Sequence, residues 1–225
     1  MHELILGGCK SGKSRCAQQR AADWLAWPGR SACVIVTALA ADEEMRLRIA
    51  RHREDRAREL PAVQTLEVPR DLPEALRACS SEQRLVVVDC LTLWLTNLLM
   101  PMERGEMELR VPTAQGSMDA PGAPAQRSTD PLDQSEQSAM DAARSGELDE
   151  RQWQACQDDL IDALVGARGP VVLVSNEIGW GVSPMSAPAR RFVDALGLLH
   201  QRAAQVCGHV TLMVAGQELV VKGRR

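Results

Sequence analysis

Lysine is nearly missing from this 225-residue chain: Lys10, Lys13 and Lys222 are its only lysines among 26 basic residues. Without a dense Lys/Arg stripe, nucleic-acid binding is not expected, and a guanine-reading Asn-Lys-x-Asp motif has no lysine to use. Cysteine pairing signals are missing too. The 7 cysteines show no C-x-x-C spacing and an odd total, so neither a disulfide framework nor a zinc site is indicated, and they read as reduced, mostly apolar fillers. No apolar run reaches the ~18 residues of a membrane span. Met1 to Leu6 lack the basic start and cleavage site of a secretory signal, so a cytoplasmic location is expected. Internal repeats and an ABC-type signature are also missing.

What charge there is lies unevenly. Residues 101–150 hold 11 Asp+Glu against 4 Lys+Arg, a local −7 within a chain of net −4, which leaves the remainder mildly basic. That balance suits anionic small molecules. The same segment has no aromatic residue and only Leu109, Val111, Leu132 and Leu148 as large aliphatics, with Pro, Gly, Ser and Gln crowding its middle. Such a composition cannot bury enough apolar surface to offset its ordering entropy, so about 101–148 is expected to be a flexible insertion; a lid or docking segment is the alternative.

Around this segment short β-rich runs alternate with longer amphipathic stretches. Strands are expected at Glu3 to Leu6, Ala32 to Thr37, Val63 to Val68, Leu85 to Asp89, Val171 to Ser175, His209 to Val214 and Leu219 to Lys222. Helices are expected at Gly12 to Trp27, Asp42 to Glu59, Leu72 to Cys79, Leu91 to Met100, Glu150 to Ala167 and Ala187 to Cys207. The continuous runs Leu85 to Val88 and Val171 to Val174 indicate strands covered on both faces. A single α/β domain over 1–225 with a mainly parallel sheet flanked by helices follows.

The sharpest signal is Gly7-Gly8-Cys9-Lys10-Ser11-Gly12-Lys13-Ser14, which satisfies G-x-x-x-x-G-K-[ST] between an apolar strand and a helix. Glycines let successive N–H groups curl around one centre, the helix N-terminus adds its dipole, Lys13 bridges terminal phosphates, and the Ser14 hydroxyl can ligate Mg²⁺. Asp89, ending Leu85-Val86-Val87-Val88, is the matching metal carboxylate; a simple helix cap is its other reading. Backbone amides do not read a base, so ATP and GTP both remain possible substrates.

A second constellation lies on the charged helix after the second strand. There Arg48, His52 and Arg56 recur at i, i+4 and i+8 and so share a face. Further on, Asn176-Glu177-Ile178-Gly179-Trp180-Gly181 follows an apolar strand at its carboxyl end, where ligands bind in open α/β sheets. Together with the GGxxSGKS loop, Asp42 to Met45, Arg48-Ile49, Asp89-Cys90-Leu91-Thr92, Thr96-Asn97-Leu98-Leu99, Arg191-Phe192 and Val214-Ala215-Gly216, these segments resemble the bifunctional adenosylcobinamide kinase / adenosylcobinamide-phosphate guanylyltransferase family of cobalamin assembly. The resemblance spans about 1–100 and 150–222.

The resemblance implies a RecA-like P-loop fold, a homotrimer, adenosylcobinamide and nucleoside triphosphate as substrates, and two reactions. The first phosphorylates the corrinoid's aminopropanol arm; in the second, GTP transfers GMP to a histidine and from there to the corrinoid phosphate. The matching histidine is His52, beside Arg51 where some relatives carry two adjacent histidines. His52 and Lys13 are thus the implied catalytic residues. Nucleotide contacts are expected from Gly7, Gly8, Cys9, Lys10, Ser11, Gly12, Lys13 and Ser14, from Val36, Thr37 and Ala38 ending the second strand, from Arg48, Arg53, Glu54, Asp55 and Arg56, and from Glu67 and Asp89. Ser14 and Asp89 would hold Mg²⁺, and Asn176, Glu177, Gly179 and Gly181 would meet substrate. His200 stands where an Asn is frequent, and packing is its expected role. On the residues alone, a monofunctional P-loop kinase and a nucleotide-dependent regulatory protein remain open. A kinase without a covalent step has no use for His52.

Overall fold

The computed structural model describes residues 2–40, 42–61, 63–100 and 149–223; the expected insertion at about 101–148 lies outside them. Within the described residues the alternating pattern becomes seven strands and six helices. In order they are β1 (Glu3–Gly7), α1 (Lys13–Leu25), β2 (Ser31–Val36), α2 (Glu43–Glu59), β3 (Gln64–Glu67), α3 (Leu72–Cys79), β4 (Arg84–Asp89), α4 (Leu91–Leu99), α5 (Glu150–Val165), β5 (Val171–Asn176), α6 (Ala187–Val206), β6 (His209–Val214) and β7 (Gln217–Lys222). They form one sheet in the order β3-β2-β4-β5-β1-β6-β7, parallel except for the β6–β7 pair.

Because successive side chains alternate across a strand, each apolar run feeds two cores. Leu4, Ile35, Val86, Val88 and Leu173 face α3, α4, α5 and α6, whereas Ile5, Val34, Val87, Val172 and Val174 face α1. Trp94 of α4 and Trp153 of α5 are both buried and meet with ring centroids 5.8 Å apart, so the two helices that flank 101–148 in sequence are packed together. No described helix is long and apolar enough to cross a membrane.

The last strand starts earlier than the hydrophobic pattern predicts, at Gln217 rather than Leu219. Ala215 (φ 51°) and Gly216 (φ 78°) form a two-residue left-handed turn, whose twist matches that of the flanking strands and lets Gln217 pair with Val214. Gln217 and Glu218 sit on an edge strand, where no core demands apolar side chains.

Parallel pairing is what assembles the site. In register, Gly7 lies opposite Asn176, while Val36 lies opposite both Asp89 and Glu67. All five are at the carboxyl end of the sheet.

Candidate active site

The phosphate loop follows β1 with the backbone its glycines allow. Gly7 has φ 153°, and a Cβ there would stand 2.6 Å from both the Met213 carbonyl and Ser11 Oγ, so no larger residue fits. Gly12 caps α1 in a left-handed conformation (φ 105°). From outside, the loop is held by the Gly216 N–H donating to the Ser11 carbonyl (2.9 Å) and by the Glu177 N–H donating to the Gly7 carbonyl (3.0 Å). The β6–β7 turn and the end of β5 thus brace opposite sides of it. Gly8, Cys9 and Lys10 are exposed along its rim.

Lys13 is buried, and its ammonium donates to the Gly8 carbonyl at 2.6 Å. Burial lowers its pKa; Asp89 pulls the other way and the Arg48 guanidinium adds to the lowering. At the next residue, Ser14 Oγ donates to Asp89 Oδ2 at 3.4 Å. A hydroxyl and a carboxylate converging beside a buried lysine are an oxygen donor set that fits Mg²⁺, with the remaining positions left for water and phosphate oxygens.

Thr37, next to Val36 and the half-buried Ala38, supports the site differently from a ligand contact. Its hydroxyl donates to the Cys90 carbonyl (2.7 Å) and accepts from the Cys90 N–H (3.0 Å), locking the end of β2 to the turn that follows Asp89. Asn97 Nδ2 donates to the carbonyls of Thr37 (2.7 Å) and Pro69 (2.9 Å), fixing the same corner from α4.

Helix α2 is built on local signals. The Asp42 side chain accepts from the Met45 N–H at 2.7 Å, acidic residues occupy its first turn, and Arg56 and Arg58 occupy its last, matching the macrodipole. Among its residues only Arg56 is buried, at 9% exposure. Burial lowers the Arg56 pKa, Asp89 and Glu67 oppose that, and Arg53 adds to it, so these four groups share one neighbourhood. Arg53 pairs with Glu67. Arg48 is felt at Lys13 and Arg56 at Asp89. Half-buried His52 therefore lies on the helix face bracketed by two arginines, one near Lys13 of the phosphate loop and the other near Asp89. Glu54 is exposed, and Asp55 is engaged by Arg58 at 2.7 Å.

The chain matches the family model described as "Cobinamide kinase / cobinamide phosphate guanyltransferase" over residues 3–221. It belongs to this family. The chain is 38% identical to the bifunctional adenosylcobalamin biosynthesis protein CobP of Pseudomonas aeruginosa, over 99% of this chain and 98% of that one. It is 30% identical to the bifunctional protein CobU of Escherichia coli, over 97% and 98% respectively. Among solved structures it is similar to the RadB recombinase, with 13% identity, a TM-score of 0.41 and coverage of 94% of this chain and 73% of that one. As a family member, the chain is a kinase and a guanylyltransferase of cobalamin biosynthesis.

In this cobinamide kinase the expected substrate residues leave β5 beside the phosphate loop. Asn176 and Glu177 are half-buried, and Gly179 and Gly181 are exposed in a loop with Trp180, Val182 and Met185. Glu177 Oε1 accepts from the Gly179 N–H at 3.0 Å and sets the first turn of that loop. Sequence reasoning gave no site role to the buried polar groups beneath it, Thr92 and Ser175, and expected His200 only to pack. Thr92 stood in a matched motif, but its partners are 83 and 84 residues away in sequence.

Proposed function

We propose that this enzyme phosphorylates adenosylcobinamide from a nucleoside triphosphate at the phosphate loop, and then carries GMP from GTP to the corrinoid phosphate on His52. The observation that carries the reading is the bracketing of His52 by Arg48 and Arg56, whose charges reach Lys13 and Asp89. In the first reaction the acceptor hydroxyl oxygen attacks the γ-phosphorus, the bond from that phosphorus to the β-phosphate oxygen breaks, nucleoside diphosphate leaves and the hydroxyl proton passes to solvent. Lys13 and the loop amides hold the charge that develops on the phosphate oxygens. In the second, a neutral His52 ring nitrogen attacks the α-phosphorus of GTP, an N–P bond forms, and pyrophosphate leaves. An oxygen of the corrinoid phosphate then displaces the histidine, breaking the N–P bond and returning the imidazole.

In this reading Arg48, Arg53 and Arg56 supply positive charge for the phosphates, and Glu67, paired with Arg53, orients a nucleotide group. Ser14 and Asp89 would hold Mg²⁺, which when bound offsets triphosphate charge. ATP and GTP both satisfy the loop. A cytoplasmic homotrimer accompanies this reading, supported by an α2 that buries only Arg56 within one chain.

The test uses α-labelled GTP without corrinoid. Label should remain on the denatured protein, acid-labile and alkali-stable, and map to the peptide containing His52. His52→Ala should lose the label and adenosylcobinamide-GDP formation while still phosphorylating adenosylcobinamide. A labelled His52→Ala protein would place the nucleophile elsewhere.

A further inference from the structure

Beneath the loop that leaves β5, the buried side chains of Thr92, Ser175 and His200 form a polar chain that ends at the half-buried Glu177. The Asn176 N–H donates to Thr92 Oγ1 at 2.7 Å, Thr92 Oγ1 lies 3.1 Å from Ser175 Oγ, and Ser175 Oγ lies 2.7 Å from His200 Nε2. Ser175 is fully buried and His200 is 6% exposed. On the far side of the ring, Nδ1 faces Glu177 Oε2 at 3.7 Å, while the other oxygen of that carboxylate accepts from the Gly179 N–H. The backbone N–H of Glu177 donates to the Gly7 carbonyl of the phosphate loop.

The carboxylate decides the tautomer. A lone pair on Nδ1 would face negative charge, so the proton sits on Nδ1 and Nε2 is left to accept from the Ser175 hydroxyl. Ser175 then accepts from the Thr92 hydroxyl, and Thr92 from the Asn176 N–H. All hydrogens run one way, from backbone to imidazole to carboxylate, and no donor is left over. At 3.7 Å the last link is too long for a hydrogen bond, and it needs less than about 1 Å to become one.

We propose that His200 is a positioning residue for the corrinoid acceptor: its Nδ1–H closes on Glu177 when the 176–181 loop takes up the acceptor, setting that loop against the phosphate loop. This rests on the reading of 176–181 as substrate contacts. It assigns His200 no contact with substrate and no part in the attack of His52 on GTP. The groups facing the ring are Glu177 from the loop and Ser175 from β5, with Thr92 of α4 behind Ser175. Protonating the ring would turn Nε2 into a donor, oppose the Ser175 hydroxyl and reverse the chain; burial holds the ring neutral by lowering its pKa.

Two substitutions separate the arms of the ring. His200→Asn keeps an amide donor where Nδ1 stands and loses the Nε2 arm, whereas His200→Gln reaches toward Ser175 and leaves Glu177 without a donor. His200→Asn should stay within about threefold of wild type in kcat/KM for adenosylcobinamide phosphorylation, and His200→Gln should lose about tenfold, mainly through acceptor KM. Guanylylation of His52 by GTP, measured without corrinoid, should be unchanged in both. In wild type, kcat/KM for the acceptor should fall on an acid limb that lies below the ordinary imidazole range, because burial lowers the His200 pKa, and this limb should vanish in His200→Asn. Equal loss in both variants, no loss in either, or a loss shared by guanylylation would each overturn the proposal. If His200→Gln fails to fold, Glu177→Ala takes its place, and a wild-type acceptor KM in that protein overturns the proposal equally. Missing guanylylation in wild type would instead defeat the covalent reading of His52 and leave the acceptor comparison intact.

Discussion

Arg56 is a cation buried before any anion arrives. It retains 9% exposure, and its Nε has no hydrogen-bond partner. Desolvation of an ion of this size costs several kcal/mol after relaxation. Asp89 and Glu67 offset part of that, Arg53 adds to it, and the lowered pKa shows which side wins. The two carboxylates are not stranded without Arg56, because Asp89 is half-buried, and Glu67 is 56% exposed and keeps Arg53. Arg56→Met, of similar reach and no charge, should therefore stabilise the nucleotide-free protein by about 1 kcal/mol. For a chain of this length that raises Tm by roughly 2–4 °C.

With nucleotide the sign should reverse. A charged hydrogen bond to phosphate contributes about 1.5–3 kcal/mol, so Kd for GTP should rise about 10- to 100-fold and the GTP-induced rise in Tm should shrink accordingly. Thermal melts with and without GTP read both effects in one experiment. Arg58→Met is the control: Arg58 is 73% exposed and its pair with Asp55 is a surface one, so its Tm should move by less than about 0.5 kcal/mol implies. A fall of several degrees in nucleotide-free Arg56→Met would refute the reasoning, since it would mean that Asp89 and Glu67 already satisfy the guanidinium.

Lys13→Ala should cut kinase turnover by about 100-fold or more while leaving the nucleotide-free melt unchanged or higher, because a buried ammonium is removed; undiminished turnover contradicts the phosphate-loop assignment. Gly7→Ala should cost about 1–3 kcal/mol from its left-handed φ together with the 2.6 Å approaches at Cβ, whereas Gly8→Ala, with open space around it, should melt like wild type. Matched melts of the two variants decide this. Stability should also fall as pH drops below about 6.5: burial lowers the pKa of His200 and His2 in the folded chain, so the unfolded chain takes up protons first, and the stability present above that pH is lost below it. A Tm rising from pH 7 to pH 5 would contradict the sign.

Much of this architecture was legible because its causes are local. Leu85 to Asp89 announces a buried parallel strand ending in a carboxylate, and the Gly7–Ser14 spacing announces its loop; both form where expected. Partnerships across the fold were not legible. Arg48, His52 and Arg56 look alike on a helical wheel, yet Arg56 is buried near Asp89 and Glu67 while Arg48 is exposed, a difference that depends on tertiary packing. Thr37 read as a nucleotide contact and Asn97 as a motif letter, while their side chains hydrogen-bond backbone groups of other elements. His200 read as a packing residue because its partners Ser175 and Glu177 lie 25 and 23 positions earlier in sequence, on a different element.

The placement of charge explains how a chain of net −4 can hold a triphosphate. Lys13, Arg48, Arg53 and Arg56 gather around Asp89 and Glu67, so the sheet's carboxyl end carries a local positive excess although the chain as a whole is acidic. Two of these cations are held at a disadvantage in the nucleotide-free protein. Lys13 is buried against a neutral carbonyl and Arg56 is buried with an unpaired nitrogen, and neither arrangement is what folding alone would favour. In the proposed function, both disadvantages would be relieved by the anionic oxygens of the bound nucleotide. On the proposed reading, stability withheld from the nucleotide-free protein reappears as affinity for the triphosphate, and His52 lies between Arg48 and Arg56 on the same face of α2.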